Sequence, residues 1–125
     1  MQPTDVQRCK IYIVDGDECV CRDLGRLMLA SGLNFDSFAS GESLIGAIDE
    51  DVRGCAVINT RMPGLSGCDI QKKLTHRGSH IPVIALAEQG DAGAQNRARE
   101  LGAVASFYKP VDNQALLDAI RSALK

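Results

Sequence analysis

The 125-residue chain has no CxxC pair, and no apolar run approaches the roughly 18 residues that suggest a membrane span. Its first residues, Met1-Gln2-Pro3-Thr4-Asp5, show neither the basic start nor the apolar stretch of a secretory signal. The expectation is a cytoplasmic protein without a membrane partner. An excess of one charge is also missing. Lys plus Arg is 14, Asp plus Glu is 16 and the net is −2, which excludes the electrostatic footprint of direct nucleic-acid binding by this domain. The cysteines, Cys9, Cys19, Cys21, Cys55 and Cys68, are odd in number and are expected to be reduced thiols packed as small apolar residues. Cys19 and Cys21, two apart on an expected helix, point to different faces, which weakens a metal site. His76 and His80 read as solvated surface residues, and no Ser–His–Asp or Cys–His arrangement can be assembled.

What is present describes one ordinary globular domain over residues 1–125, with 45% hydrophobic and 24% charged residues. Strand-like and helix-period segments alternate five times. Lys10 to Val14 is the first strand, and Leu24, Leu27 and Met28 (with Val20) mark a helix stopped by Gly32. Phe35 and Phe38 mark a second strand, and Ser40 opens a helix that carries Leu44, Ile45 and Ile48 into the cluster Asp49-Glu50-Asp51. Cys55 to Ile58 is the third strand; Pro63-Gly64 makes a tight turn and Ser66 caps the helix bearing Ile70 and Leu74. Pro82 to Leu86 is the fourth strand, followed by a helix from an Asp91 cap to Leu101, stopped by Gly102. Ala103 to Tyr108 is the fifth strand, and Asp112 to Leu124 the last helix. Near-continuous apolar strands separated by helices predict a doubly wound α/β fold around a parallel sheet. Its functional crevice lies at the carboxyl ends of the strands, among Asp15-Gly16-Asp17, Asn59-Thr60, Ala87 to Asp91 and Lys109-Pro110. The lack of a glycine-rich phosphate loop there disfavours a nucleotide-binding enzyme.

Along essentially its whole length the sequence resembles the receiver domain of bacterial two-component response regulators. The resemblance is carried by Ile13 to Glu18 after the first strand, Met62-Pro63-Gly64-Leu65-Ser66-Gly67 after the third, Pro82-Val83-Ile84, Leu101-Gly102-Ala103 and Lys109-Pro110. It implies a flavodoxin-like, five-stranded sheet in the order 2-1-3-4-5, and a cis peptide at Lys109-Pro110. Phe38 to Leu44 looks most like receivers that precede a helix-turn-helix domain. In that family two adjacent acids and an aspartate hold Mg²⁺, the aspartate takes a phosphoryl group from a histidine kinase, and a hydroxyl and a lysine hold its oxygens. An inward-turning aromatic on the fifth strand then relays the change to the fourth and fifth helices.

Carried over residue by residue, Asp15 matches the first acid and Lys109 the lysine, whereas Gly16 replaces the second acid. Asn59 stands at the phosphoacceptor position, and Ala87 and Ser106 at the switch positions of the hydroxyl and the aromatic. Phe107 points opposite to Ser106 and Tyr108 by strand alternation. An amide cannot form the acyl phosphate as a carboxylate does, so no catalytic residue is expected and the domain is not expected to be an enzyme. With two carboxylates gone, Mg²⁺ binding should be weak or absent, and no other cofactor is implied. Asp15 and Lys109 are expected to pair directly, with Asn59 hydrogen-bonded between them. The leading expectation is a phosphorylation-independent protein-interaction module. Its partner would be a histidine kinase, another regulator or a second copy, the last giving a homodimer. The expected surface is the fourth helix, fifth strand and fifth helix, with Arg97, Arg99, Glu100, Asp118 and Arg121 supplying charge. The competing reading is a receiver phosphorylated with Mg²⁺ on Asp17 or Asp15, and a third is redox sensing through Cys55 or Cys68.

Overall fold

The computed structural model describes residues 9–48, 52–62 and 64–125. In chain order the elements are β1 (Lys10–Val14), α1 (Glu18–Ala30), β2 (Phe35–Phe38), α2 (Gly41–Ala47), β3 (Gly54–Asn59), α3 (Gly67–His76), β4 (Val83–Ala87), α4 (Ala92–Glu100), β5 (Ala105–Tyr108) and α5 (Asn113–Ala123). All strand pairs are parallel, in the order β2-β1-β3-β4-β5. The doubly wound fold read from the alternation is therefore the observed one.

Strand alternation divides the apolar residues into two cores. Ile11 and Ile13 of β1 and Cys55 and Val57 of β3 pack with Leu24 and Met28 of α1 and Leu116 and Ile120 of α5. Tyr12 and Val14, with Ala56 and Ile58, pack on the other face with Leu44 of α2 and Ile70 and Leu74 of α3. Because both faces are covered, β3 and β4 read as unbroken apolar runs. Gly54 opens β3 at φ 141, and a Cβ there would come within 1.8 Å of the Lys10 carbonyl oxygen. Only glycine allows β1 to approach so closely at that point.

Side-chain caps start the helices where the sequence places them: Ser40, Ser66, Asp91 and Asp112 each accept a backbone N–H of the first turn. The boundaries of β3, β4 and β5 differ from the sequence reading: β3 gains one residue at each end, Gly54 and Asn59, and β4 extends to Ala87. β4 begins at Val83, since Pro82 has no N–H to donate and joins the sheet only through its carbonyl, 2.9 Å from the Ala56 nitrogen. β5 begins at Ala105 because the Ala103 N–H turns back to the Ala98 carbonyl to close the end of α4. α2 ends at Ala47, and the cluster Asp49-Glu50-Asp51 and the turn residue Pro63 lie outside the described residues. Among the described residues no helix is long and apolar enough to cross a membrane.

Candidate functional site

The chain leaves β1 toward β2 on one side and β3 toward β4 and β5 on the other, so the sheet has its switch point between β1 and β3. A crevice forms there at the carboxyl ends. Three elements deliver its central residues: Asp15 follows β1, Asn59 ends β3, and Lys109 follows β5. Lys109 is fixed by its own N–H, 2.9 Å from the carbonyl of Ala87 at the end of β4, and precedes Pro110 through a cis peptide.

Asp15 is only 3% exposed, and each of its oxygens is occupied. Oδ2 accepts from Lys109 Nζ at 2.7 Å. Oδ1 accepts from the Asn59 Nδ2 at 3.2 Å and from the Asp17 N–H at 2.9 Å. The Asn59 Oδ1 in turn accepts from the Arg61 N–H at 3.2 Å. A buried carboxylate is stable only when compensated in this way. The direct Asp15–Lys109 pair matches the sequence reading. Asn59, however, does not lie between the two: it takes the opposite carboxylate oxygen, because Lys109 arrives from β5 and Asn59 from β3.

Around this centre an open cleft of about 640 Å³ is rimmed by Gly16, Asp17, Glu18, Arg61 and Glu88. Asp17 is exposed and its Oδ1 accepts the Cys19 N–H at 2.8 Å, so it is the N-cap of α1. The sequence reading weighs Asp17 as an alternative phosphoacceptor and not as a cap; an aspartate directly before a helix is itself a capping signal. Arg61 on the rim lies outside the crevice segments read from the sequence, whereas Glu88 falls within the expected segment Ala87 to Asp91 and reaches to within 3.9 Å of Lys109. Ala87 is fully buried and presents a methyl group at the end of β4. Thr60, next to Asn59, carries a buried hydroxyl without a partner. Among the described residues no three His, Cys, Asp or Glu side chains converge to hold a metal ion.

The remaining site residues lie away from the cleft. Ser106 on β5 accepts from Arg99 Nε of α4 at 3.1 Å, while Phe107 turns to the core under α1 and α5. Arg97, Arg99 and Glu100 on α4, and Asp118 and Arg121 on α5, are all exposed. Burial pushes the Cys55 thiol up to about 12 and also raises Cys68, the reverse of what a reactive thiol needs.

A family model of the response regulator receiver domain matches residues 11–121. The chain belongs to this family. The response regulator protein TmoT of Ectopseudomonas mendocina is 38% identical over 119 residues, covering 95% of this chain and 54% of that protein. The transcriptional regulatory protein FixJ of Azorhizobium caulinodans is 35% identical over 114 residues, covering 91% and 54%. Among solved structures, that of FixJ-N superposes with a TM-score of 0.86 at 30% identity, covering 98% of this chain and 94% of that one. The receiver thus spans about half the length of the curated relatives it matches.

Proposed function

We propose that this receiver is a phosphorylation-independent interaction module of a two-component system, and not an enzyme. The observation that carries the reading is the closed network around Asp15. Its carboxylate is bonded to Lys109, Asn59 and the Asp17 N–H, so the charge a metal or phosphoryl group would have to engage is already neutralised. Asn59, at the phosphoacceptor position, offers an amide that does not attack phosphorus. The donor set does not fit Mg²⁺, which asks for several oxygen ligands in near-octahedral geometry. Only Asp15 is a buried carboxylate here, and Asp17 is engaged as a helix cap.

The output surface in this reading is α4, β5 and α5. Arg97, Arg99 and Glu100 stand on one helix and Asp118 and Arg121 on the other, with the edge strand β5 between them. The partner is a histidine kinase, another regulator or a second copy of the chain, in the cytoplasm. Where an effector domain is joined to the receiver, that contact regulates transcription.

The test is an amide NMR titration with Mg²⁺ and then beryllofluoride, paired with intact-mass analysis after incubation with a small phosphodonor. The expected result is silence at Asp15, Asn59, Ala87 and Lys109 and no added phosphoryl mass. Specific shifts spreading from those residues into α4 and α5, or a phosphorylated Asp17 or Asp15, would overturn the proposal.

A further inference from the structure

α4 is fastened to the molecule differently from the other helices. From Ala92 to Glu100 it has no apolar residue larger than alanine, and neither apolar core includes one of its residues. The one side chain it buries is the methyl of Ala98, whereas α1 buries Leu24 and Met28, and α5 buries Leu116, Leu117 and Ile120. A methyl removes little apolar surface from water, and Gly93 in the first turn weakens the helix itself.

Polar contacts hold α4 instead. Arg99 reaches Ser106 on β5, a bond open to solvent. The other contact comes from α3 and is buried: Gln71, 5% exposed, donates from Nε2 to the Ala98 carbonyl at 3.2 Å. The same oxygen accepts the Ala103 N–H at 3.0 Å. One lone pair thus closes the end of α4 and the other ties it to α3. A buried amide without a partner is costly, so α4 cannot slide along α3 without stranding the Gln71 donor.

α3 is in turn seated on the cleft. Gly67 lies one turn before Gln71 on the same face of the helix. Its N–H donates to the Thr60 carbonyl at 3.0 Å, and a Cβ there would lie 2.8 Å from Thr60 Cα and 3.0 Å from the Asn59 carbonyl oxygen. The first turn of α3 is therefore pressed against the backbone of the cleft. Meanwhile the switch positions Ala87 and Ser106 hold a methyl and a hydroxyl bonded to Arg99. We infer that Gln71 is the positioning residue for α4: α3, seated on the cleft backbone at Gly67, sets the place of α4 through the Gln71–Ala98 bond. The consequence for partner binding rests on the proposed output surface; the placement of α4 does not.

Two variants of the whole chain test this by residual dipolar couplings in NMR. Gln71→Met keeps the side chain's length and removes the donor, and the Ala98 carbonyl keeps its bond from Ala103, so no buried acceptor is stranded. The couplings of α4, from Ala92 to Glu100, should change while those of β1 and β3 stay in place. Gln71→Glu adds a pH profile that packing alone would not produce. A protonated carboxyl donates to the Ala98 carbonyl and a carboxylate cannot, and burial raises such a carboxyl above its ordinary range near 4. α4 should hold its natural orientation below that raised value and be displaced above it. The flanking Lys72, Arg97 and Arg99 keep their charge throughout this range, and Ser66 holds the Asp69 carboxyl below the usual carboxylate range. Unchanged α4 couplings in Gln71→Met, or no pH dependence in Gln71→Glu, would overturn the inference. Displacement of α4 with partner association and self-association unaltered upholds the role of Gln71 and tells against α4 as an output surface.

Discussion

At the carboxyl end of the sheet, charge is consumed inside the molecule; along α4 and α5 it is left facing outward. Asp15 meets three donors and Lys109 is held by two acidic groups. On the outer helices the charged side chains have few contacts, chiefly Arg99 to Ser106 and Gln114 to Asp118. The first region is a solved electrostatic problem and has little left to offer a ligand. The second has charge to give, which is why the proposed function places recognition there. The contrast also predicts different responses to mutation: large effects on stability in the cleft and small ones on the outer face.

The sharpest way to break the contrast is Lys109→Met, which leaves Asp15 buried without its counter-charge. Removing one partner of a buried pair strands the other. Lys109 keeps 19% of its side-chain surface in solvent and Asp15 only 3%, so the loss should sit at the low end of the range for buried pairs, about 3 kcal/mol. Urea unfolding of both proteins measures it. A loss below about 0.5 kcal/mol, the scale of an exposed pair, would mean that Asp15 is better solvated than its position indicates.

Asn59→Asp is the next in size and brings back the carboxylate at the phosphoacceptor position. The new acid would stand where Nδ2 now lies 3.2 Å from Asp15 Oδ1. Two carboxylates at that separation cannot both ionise cheaply, so one folded-state pKa rises above its unfolded value near 4. The cost, about 1–3 kcal/mol at neutral pH, is present above the raised folded value and disappears as pH falls through it toward the unfolded one. The variant should therefore gain stability relative to the natural chain on mild acidification, as read by thermal melts across pH. With Gly16 still in place of the second acid, the single substitution should not restore tight Mg²⁺ binding, which magnesium-dependent shifts in the same variant would check.

Much of this architecture is legible in the sequence for a simple reason. A residue directly after a parallel strand can only sit at the carboxyl edge, so Asp15, Asn59 and Lys109 must converge once the alternation of strands and helices is recognised. The apolar runs of β3 and β4 likewise announce burial on both faces. What the sequence did not disclose depends on direction and on packing across distance. Asn59 takes the oxygen of Asp15 that Lys109 leaves free, a choice set by the sheet order and not by spacing. Asp17 carries a local capping signal, directly before α1, that the reading by family positions passes over. The Phe35 ring packs so close to Gly25, ten residues earlier and on a different element, that a Cβ there would lie 2.5 Å from Cζ; no periodicity encodes that contact.

The smallest effect should come from the outer face, and it is the one that separates structure from recognition. Arg99→Ala removes the guanidinium whose Nε donates to Ser106 Oγ at 3.1 Å. Both groups keep access to water, so the hydrogen bond exchanges with solvent and the change in stability should lie within about 0.5 kcal/mol. Ser106→Ala should behave alike, and the double variant should show little coupling. If α4, β5 and α5 form the output surface, Arg99→Ala nevertheless weakens association with the partner, or the self-association measured by light scattering, while the melting temperature stays put. A drop in stability comparable to that of Lys109→Met would instead make Arg99 a strut between α4 and β5, and the division between an inward-facing and an outward-facing set of charges would fail at that residue.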